Sequence, residues 1–108
     1  MTLEEYQKQA LVTATYPKEH NILYPALGLN GEAGEVAEKV KKVLRDNNGD
    51  FSIEKCHEIA KELGDCMWYI SAMAHDIGYT LEEIGEMNIN KLRSRQQRNM
   101  IHGNGDNR

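Results

Sequence analysis

No apolar stretch approaches the roughly 18 residues a membrane-spanning helix needs, and nothing at the start reads as a secretory leader. The chain is therefore expected to be soluble and cytoplasmic, with no membrane partner. Cysteine is scarce. Only Cys56 and Cys66 occur, and on one continuous helix their Cα atoms would stand about 15 Å apart. A disulfide needs less than about 7 Å, so free thiols in a reducing compartment are expected. There is no surplus of positive charge. The net charge of −4 disfavours nucleic-acid binding through a general basic field. No alternating strand pattern of useful length appears. G-x-x-x-x-G-K-[ST], G-x-S-x-G and paired C-x-x-C are all missing, which removes Walker-type, serine-hydrolase and zinc readings in those forms.

What is present is helix punctuation. Thr2-Leu-Glu-Glu5 reads as a capping box opening a first helix to about Tyr16, ended by Pro17. A second runs from about Ile22 to Asp46, with Pro25 tolerable in its first turn. Asn47-Asn-Gly-Asp50 then makes a turn. Ser52 caps a third helix to about Asp76, closed by Gly78. Thr80-Leu-Glu-Glu83 opens a fourth to about Gln97. The fold class is all-α: a four-helix unit over residues 1–97, followed by a polar tail over residues 98–108. At 108 residues, such a unit would gain by burying more surface in an oligomer.

Apolar periodicity gives the second helix a stripe of Ala33, Val36, Ala37, Val40, Val43 and Leu44. The third carries Cys56, Ile59, Ala60, Leu63, Met67, Ile70, Ala74 and Ile77, expected to face the core. Glu62, Asp65, Trp68, Tyr69 and Ala72 lie on the opposite side of that helix. Two carboxylates joined to two large aromatics are unlike a plain solvated face, and point to a second buried or ligand-facing surface. On the second helix Gly28, Gly31, Gly34, Glu35 and Glu38 lie opposite Val40. Each interior glycine costs about 1 kcal/mol relative to alanine, so the repetition points to close approach by a helix or a ligand.

Chemistry resides in two acidic pairs. Glu32-Ala-Gly-Glu35 and Glu62-Leu-Gly-Asp65 each have i,i+3 spacing, with 26 residues between them. That spacing places both acids of a pair on one helical face. Packed together, the two helices would bring four carboxylates into one region. At an effective dielectric of about 20, like charges about 5 Å apart repel by roughly 3 kcal/mol. Such a cluster must spread into water, take up protons or hold a cation. Oxygen donors without Cys or His suit a hard ion, Mg²⁺ first, and admit Mn²⁺. One isolated i,i+3 acidic pair is usually ordinary surface. Two on consecutive helices, each with Gly before its second acid, carry more weight.

Gly31-Glu-Ala-Gly-Glu-Val36 and Glu62-Leu-Gly-Asp-Cys-Met-Trp-Tyr69 together resemble the MazG-like branch of the all-α nucleoside triphosphate pyrophosphohydrolases. That superfamily includes dimeric dUTPases and dCTP pyrophosphatases. Asn88-Ile-Asn-Lys-Leu-Arg-Ser-Arg95 is similar to the family's N-x-x-K-L-x-x-R segment. The resemblance covers about Leu27 to Arg95. It implies a homo-oligomer, dimer or tetramer, completing a bundle between subunits. It implies Mg²⁺-dependent cleavage of an NTP or dNTP to the monophosphate and pyrophosphate, in nucleotide-pool house-cleaning. Glu32, Glu35, Glu62 and Asp65 would then be metal ligands, and one of them, or Glu38, would orient or deprotonate the attacking water. Asn88, Lys91 and Arg95 would meet the polyphosphate. Trp68, more often a packing residue than a base-stacking one, would touch substrate or else lie in an oligomer interface. The tail, with Arg98, His102 and Arg108 around Gly-Asn-Gly-Asp, would either close over phosphates or be disordered.

Two other readings compete. A di-iron bundle uses E-x-x-H twice, and only Glu54-Lys-Cys-His57 supplies it here. A non-catalytic helical nucleotide-binding or protein-interaction module explains the second face of the third helix, but not the acids within it.

Overall fold

The computed structural model describes all 108 residues. It is entirely helical: α1 (Leu3–Leu11), a short 3-10 turn (Lys18–His20), α2 (Leu23–Asp46), α3 (Ile53–Asp76) and α4 (Leu81–Gln97). Side-chain caps open three of the four helices. Thr2 accepts from the Glu5 amide, Ser52 from Lys55 and Thr80 from Glu83, and Glu83 completes a reciprocal box. α2 and α3, 24 residues each, form a long antiparallel hairpin. At its corner Asn48 and Gly49 take positive φ, 53° and 74°. α1 and α4 both rest against α3.

The first helix is shorter than its sequence predicts. It ends at Leu11 rather than near Tyr16. The Ala10 carbonyl accepts from the Thr13 hydroxyl (2.7 Å) and from the Trp68 indole N–H (3.2 Å). A partner 58 residues away thus helps to set the end of the helix. The segment that follows is pinned by Asp76, whose Oδ2 accepts from the Tyr16 hydroxyl and the Ile22 amide, both at 2.8 Å. Ile22 sits at φ 71°, a costly conformation for a β-branched residue, and this contact helps hold it there.

Gln7 closes the junction of α1, α3 and α4. Its Nε2 donates to the carbonyls of Ser71 (3.2 Å) and Tyr79 (3.4 Å), and its Oε1 accepts from the Leu81 amide (3.0 Å). Leaving these buried groups unpaired would cost about 1–3 kcal/mol.

The expected core stripe of α3 is largely on the surface. Leu63 is 51% exposed, and Met67, Ile70 and Ile77 are exposed as well. The opposite side, with Ala72 buried and Trp68 and Tyr69 half-buried, makes the contacts within the chain. On α2 Val43 is buried, whereas Leu44 is exposed. Periodicity marks an apolar face and does not say which side of the helix packs within the chain. The radius of gyration is 16.7 Å, against about 13 Å for a compact chain of this length. The accessible surface is 8005 Å², against about 6,100 Å² for a compact monomer of this mass.

Candidate metal centre

The α2–α3 hairpin gathers Glu32, Glu62 and Asp65. One carboxylate oxygen from each lies within 4.8 Å of the others. Glu32 and Glu62 are half-buried and Asp65 is exposed, so the group is anchored between helices and opens to solvent on one side. An all-oxygen set of this size fits a hard divalent cation whose remaining positions are filled by water or ligand.

Electrostatics agree with that fit. The Glu32 carboxyl is pushed up by burial, by hydrogen bonding to Glu62, and by the charges of Asp65, Glu62 and Glu35. Burial, then the charges of Glu32, Asp65 and Glu62, raise the Cys66 thiol. The Tyr69 hydroxyl is raised by burial, then by Tyr24 and by Glu32 and Asp65. Burial and Asp65 raise Tyr6. A field of one sign thus covers the hairpin's centre, with little in the chain to answer it. Lys39 is the neighbouring cation, its Nζ 3.9 Å from Glu62.

The remaining acids lie apart. Glu35 is one turn beyond Glu32, exposed and outside the close group, though its charge is felt at Glu32. Glu38 is held by Lys41 at 2.9 Å, which keeps its carboxyl below the usual range. Trp68 donates its indole N–H to Ala10 and to the Thr13 hydroxyl (2.7 Å), leaving only its ring for other contacts. Asn88 lines an apolar depression with Met67 and Ile70, residues on the side of α3 away from Asp65. Lys91 continues that surface. Arg95 is buried, with only 5% of its surface exposed. His57 is exposed.

An aromatic group borders the acids. Tyr16 and Tyr24 stack at 4.9 Å, Tyr24 meets Tyr69 at 6.3 Å, and Tyr69 meets Trp68 edge-on at 5.0 Å. Sequence reading singled out neither Lys39 nor Tyr24. Both were accessible from helical spacing, since Lys39 is two turns from Glu32 and Tyr24 is one turn from Gly28 on the same face.

The family model of the MazG nucleotide pyrophosphohydrolase domain matches residues 20–100, about three quarters of the chain. The chain belongs to the MazG family. This MazG chain is also similar to the Gene 37 protein of Mycobacterium phage L5, at 42% identity over 114 aligned positions covering the whole of both chains. No solved structure matches it. The matched range contains the acidic hairpin together with Asn88, Lys91 and Arg95, and supports the resemblance drawn from the sequence motifs.

Proposed function

We propose that this MazG chain is a divalent-metal-dependent nucleoside triphosphate pyrophosphohydrolase, cleaving an NTP or dNTP to the monophosphate and pyrophosphate in nucleotide-pool house-cleaning. The observation that carries the reading is the convergence of Glu32, Glu62 and Asp65 in a chain of this family. These three would hold Mg²⁺, with Mn²⁺ an alternative of the same oxygen preference. The ion, when bound, would neutralise charge on the phosphates during transfer. Glu35, on the same face and outside the close group, is placed to complete the ligand set or to orient the attacking water. Glu38 is the weaker candidate for that task because Lys41 engages it.

Lys91 and Arg95, four residues apart on α4, would bind the polyphosphate, with Asn88 beside them. Asn88 lies against the Met67 side of α3, so we assign these phosphate contacts to the acidic centre of a neighbouring copy. The working form is then a homo-oligomer, a dimer or a tetramer. The surface excess over a compact monomer, about 1,900 Å², and the exposed Leu63, Met67 and Ile70 support that assembly. Leu63, Met67 and Ile70 share the face that a second helix pair would cover.

The test is pyrophosphate release from a panel of NTPs and dNTPs, with and without Mg²⁺, and chromatography of the nucleotide product. Metal-dependent formation of monophosphate and pyrophosphate is expected. Absence of turnover by folded, oligomeric protein would replace this reading with a non-catalytic nucleotide-binding or interaction module.

A further inference from the structure

The C-terminal tail lies on the cations assigned to substrate. Asp106 Oδ1 is 3.1 Å from Lys91 Nζ and 3.5 Å from Arg95 Nη2. Arg95 Nη2 also donates to the carbonyls of Asp106 (2.8 Å) and Gly105 (3.3 Å). The tail is folded for this contact. Gly105 sits at φ 82°, a backbone that favours glycine. A β-carbon on Gly103 would meet the Arg108 side chain. Arg108 binds back to the carbonyls of Met100 and Ile101, and Arg98 donates to the Arg108 carbonyl. The buried Arg95 keeps one donor, Nε, without a partner, so the tail satisfies this arginine incompletely.

We propose that residues 100–108 are a built-in competitor for polyphosphate: Asp106 holds Lys91 and Arg95 until an anionic ligand displaces the tail. The proposal rests on the reading of Lys91 and Arg95 as phosphate-binding residues. A carboxylate and two carbonyls are traded for phosphate oxygens, which carry more charge. Occupation by the tail therefore weakens apparent affinity without blocking the site.

Three variants of the full chain test it: truncation after Asn99, Asp106→Asn, and Gly105→Ala, which keeps every charge and opposes the tail's fold. Calorimetry with inorganic pyrophosphate, in the absence of nucleotide, reads the site directly. Weakening or removing the tail's hold on Lys91 and Arg95 should tighten pyrophosphate binding by about threefold to tenfold in each variant. On a substrate found by the panel, KM should fall with kcat unchanged. Circular dichroism verifies that the helices persist, and Asp106→Asn guards against a truncation that fails to fold. Pyrophosphate affinity and KM unchanged, or weakened, in Asp106→Asn and Gly105→Ala would overturn the proposal. Tighter pyrophosphate binding in a protein that turns over no nucleotide would support the tail as competitor while removing the catalytic reading.

Discussion

The ring of Tyr69 occupies the volume that a β-carbon on Gly28 would need. Here a side chain of α3 lies directly against the backbone of α2, one turn from both Glu32 and Asp65. It sets the depth at which the two helices meet and so the spacing of the acids. Gly28→Ala should destabilise the fold by about 1–3 kcal/mol, because the ring must move against its packing. Gly31 and Gly34 have open space at the same atom. Alanine there should stabilise the isolated fold by up to about 1 kcal/mol. Urea unfolding of the three variants checks the order. A Gly28→Ala protein as stable as its parent would remove the packing constraint.

The acidic centre makes a prediction in pH. A carboxyl raised in the fold, as at Glu32, favours the folded state most below its ordinary pKa. That contribution declines as pH rises into the raised range, leaving the ionised cluster as a penalty at neutrality. Mg²⁺ should therefore raise the melting temperature at about pH 7.5 and scarcely at about pH 4, by mass action on the folded form. Glu32→Gln should melt several degrees higher than the parent in chelator and gain less from Mg²⁺. Differential scanning fluorimetry reads both. Turnover should be lost in this variant and in Asp65→Asn, and activity within about twofold of the parent would exclude the ligand role.

Assigning the acids and the cations of one site to different copies predicts complementation. Asp65→Asn and Lys91→Ala should each be inactive alone. Mixed and reassembled as dimers, half the pairs are hybrids with one intact site of two, so about a quarter of parental activity should return. Steady-state assays after co-refolding measure it. No recovery, with hybrids verified by native mass spectrometry, would place acids and cations in the same chain.

Tyr16 supplies an alkaline counterpart. Its hydroxyl is pushed up to about 12 by burial and by the bond to Asp76. A raised tyrosine contributes stability that is complete below about pH 10 and disappears as pH climbs toward 12. Tyr16→Phe should therefore be less stable than the parent at neutral pH and lose less on moving to about pH 11. Denaturant midpoints at the two pH values test the sign.

Much of this arrangement is written in local sequence. Thr2, Ser52 and Thr80 announce their helices, Gly78 closes α3, and the E-x-x-E and E-x-x-D spacings identify the face on which three acids meet. Other features depend on contacts distant in the chain. The end of α1 is influenced by the Trp68 indole, which no reading of residues 3–16 contains. The Leu63–Met67–Ile70 stripe is correctly apolar, yet the chain itself covers it only in part. Gly28 was flagged for close approach and has it, whereas Gly31 and Gly34 share the composition and meet nothing. The tail read equally as lid or as disorder because Gly-Asn-Gly-Asp permits both. Its choice depends on Lys91 and Arg95, more than a helical turn upstream.

The buried apolar residues are few: Pro25, Val43, Ala72, Ala74 and Leu81. If copies of the chain cover the rest, abundance itself becomes a control. Newly made chains at low copy number would remain open to proteases, and survival would begin only once enough neighbours exist to shield one another. Output would then rise more steeply than gene dosage, giving a protein that is nearly silent when scarce and abruptly present when its messenger is abundant.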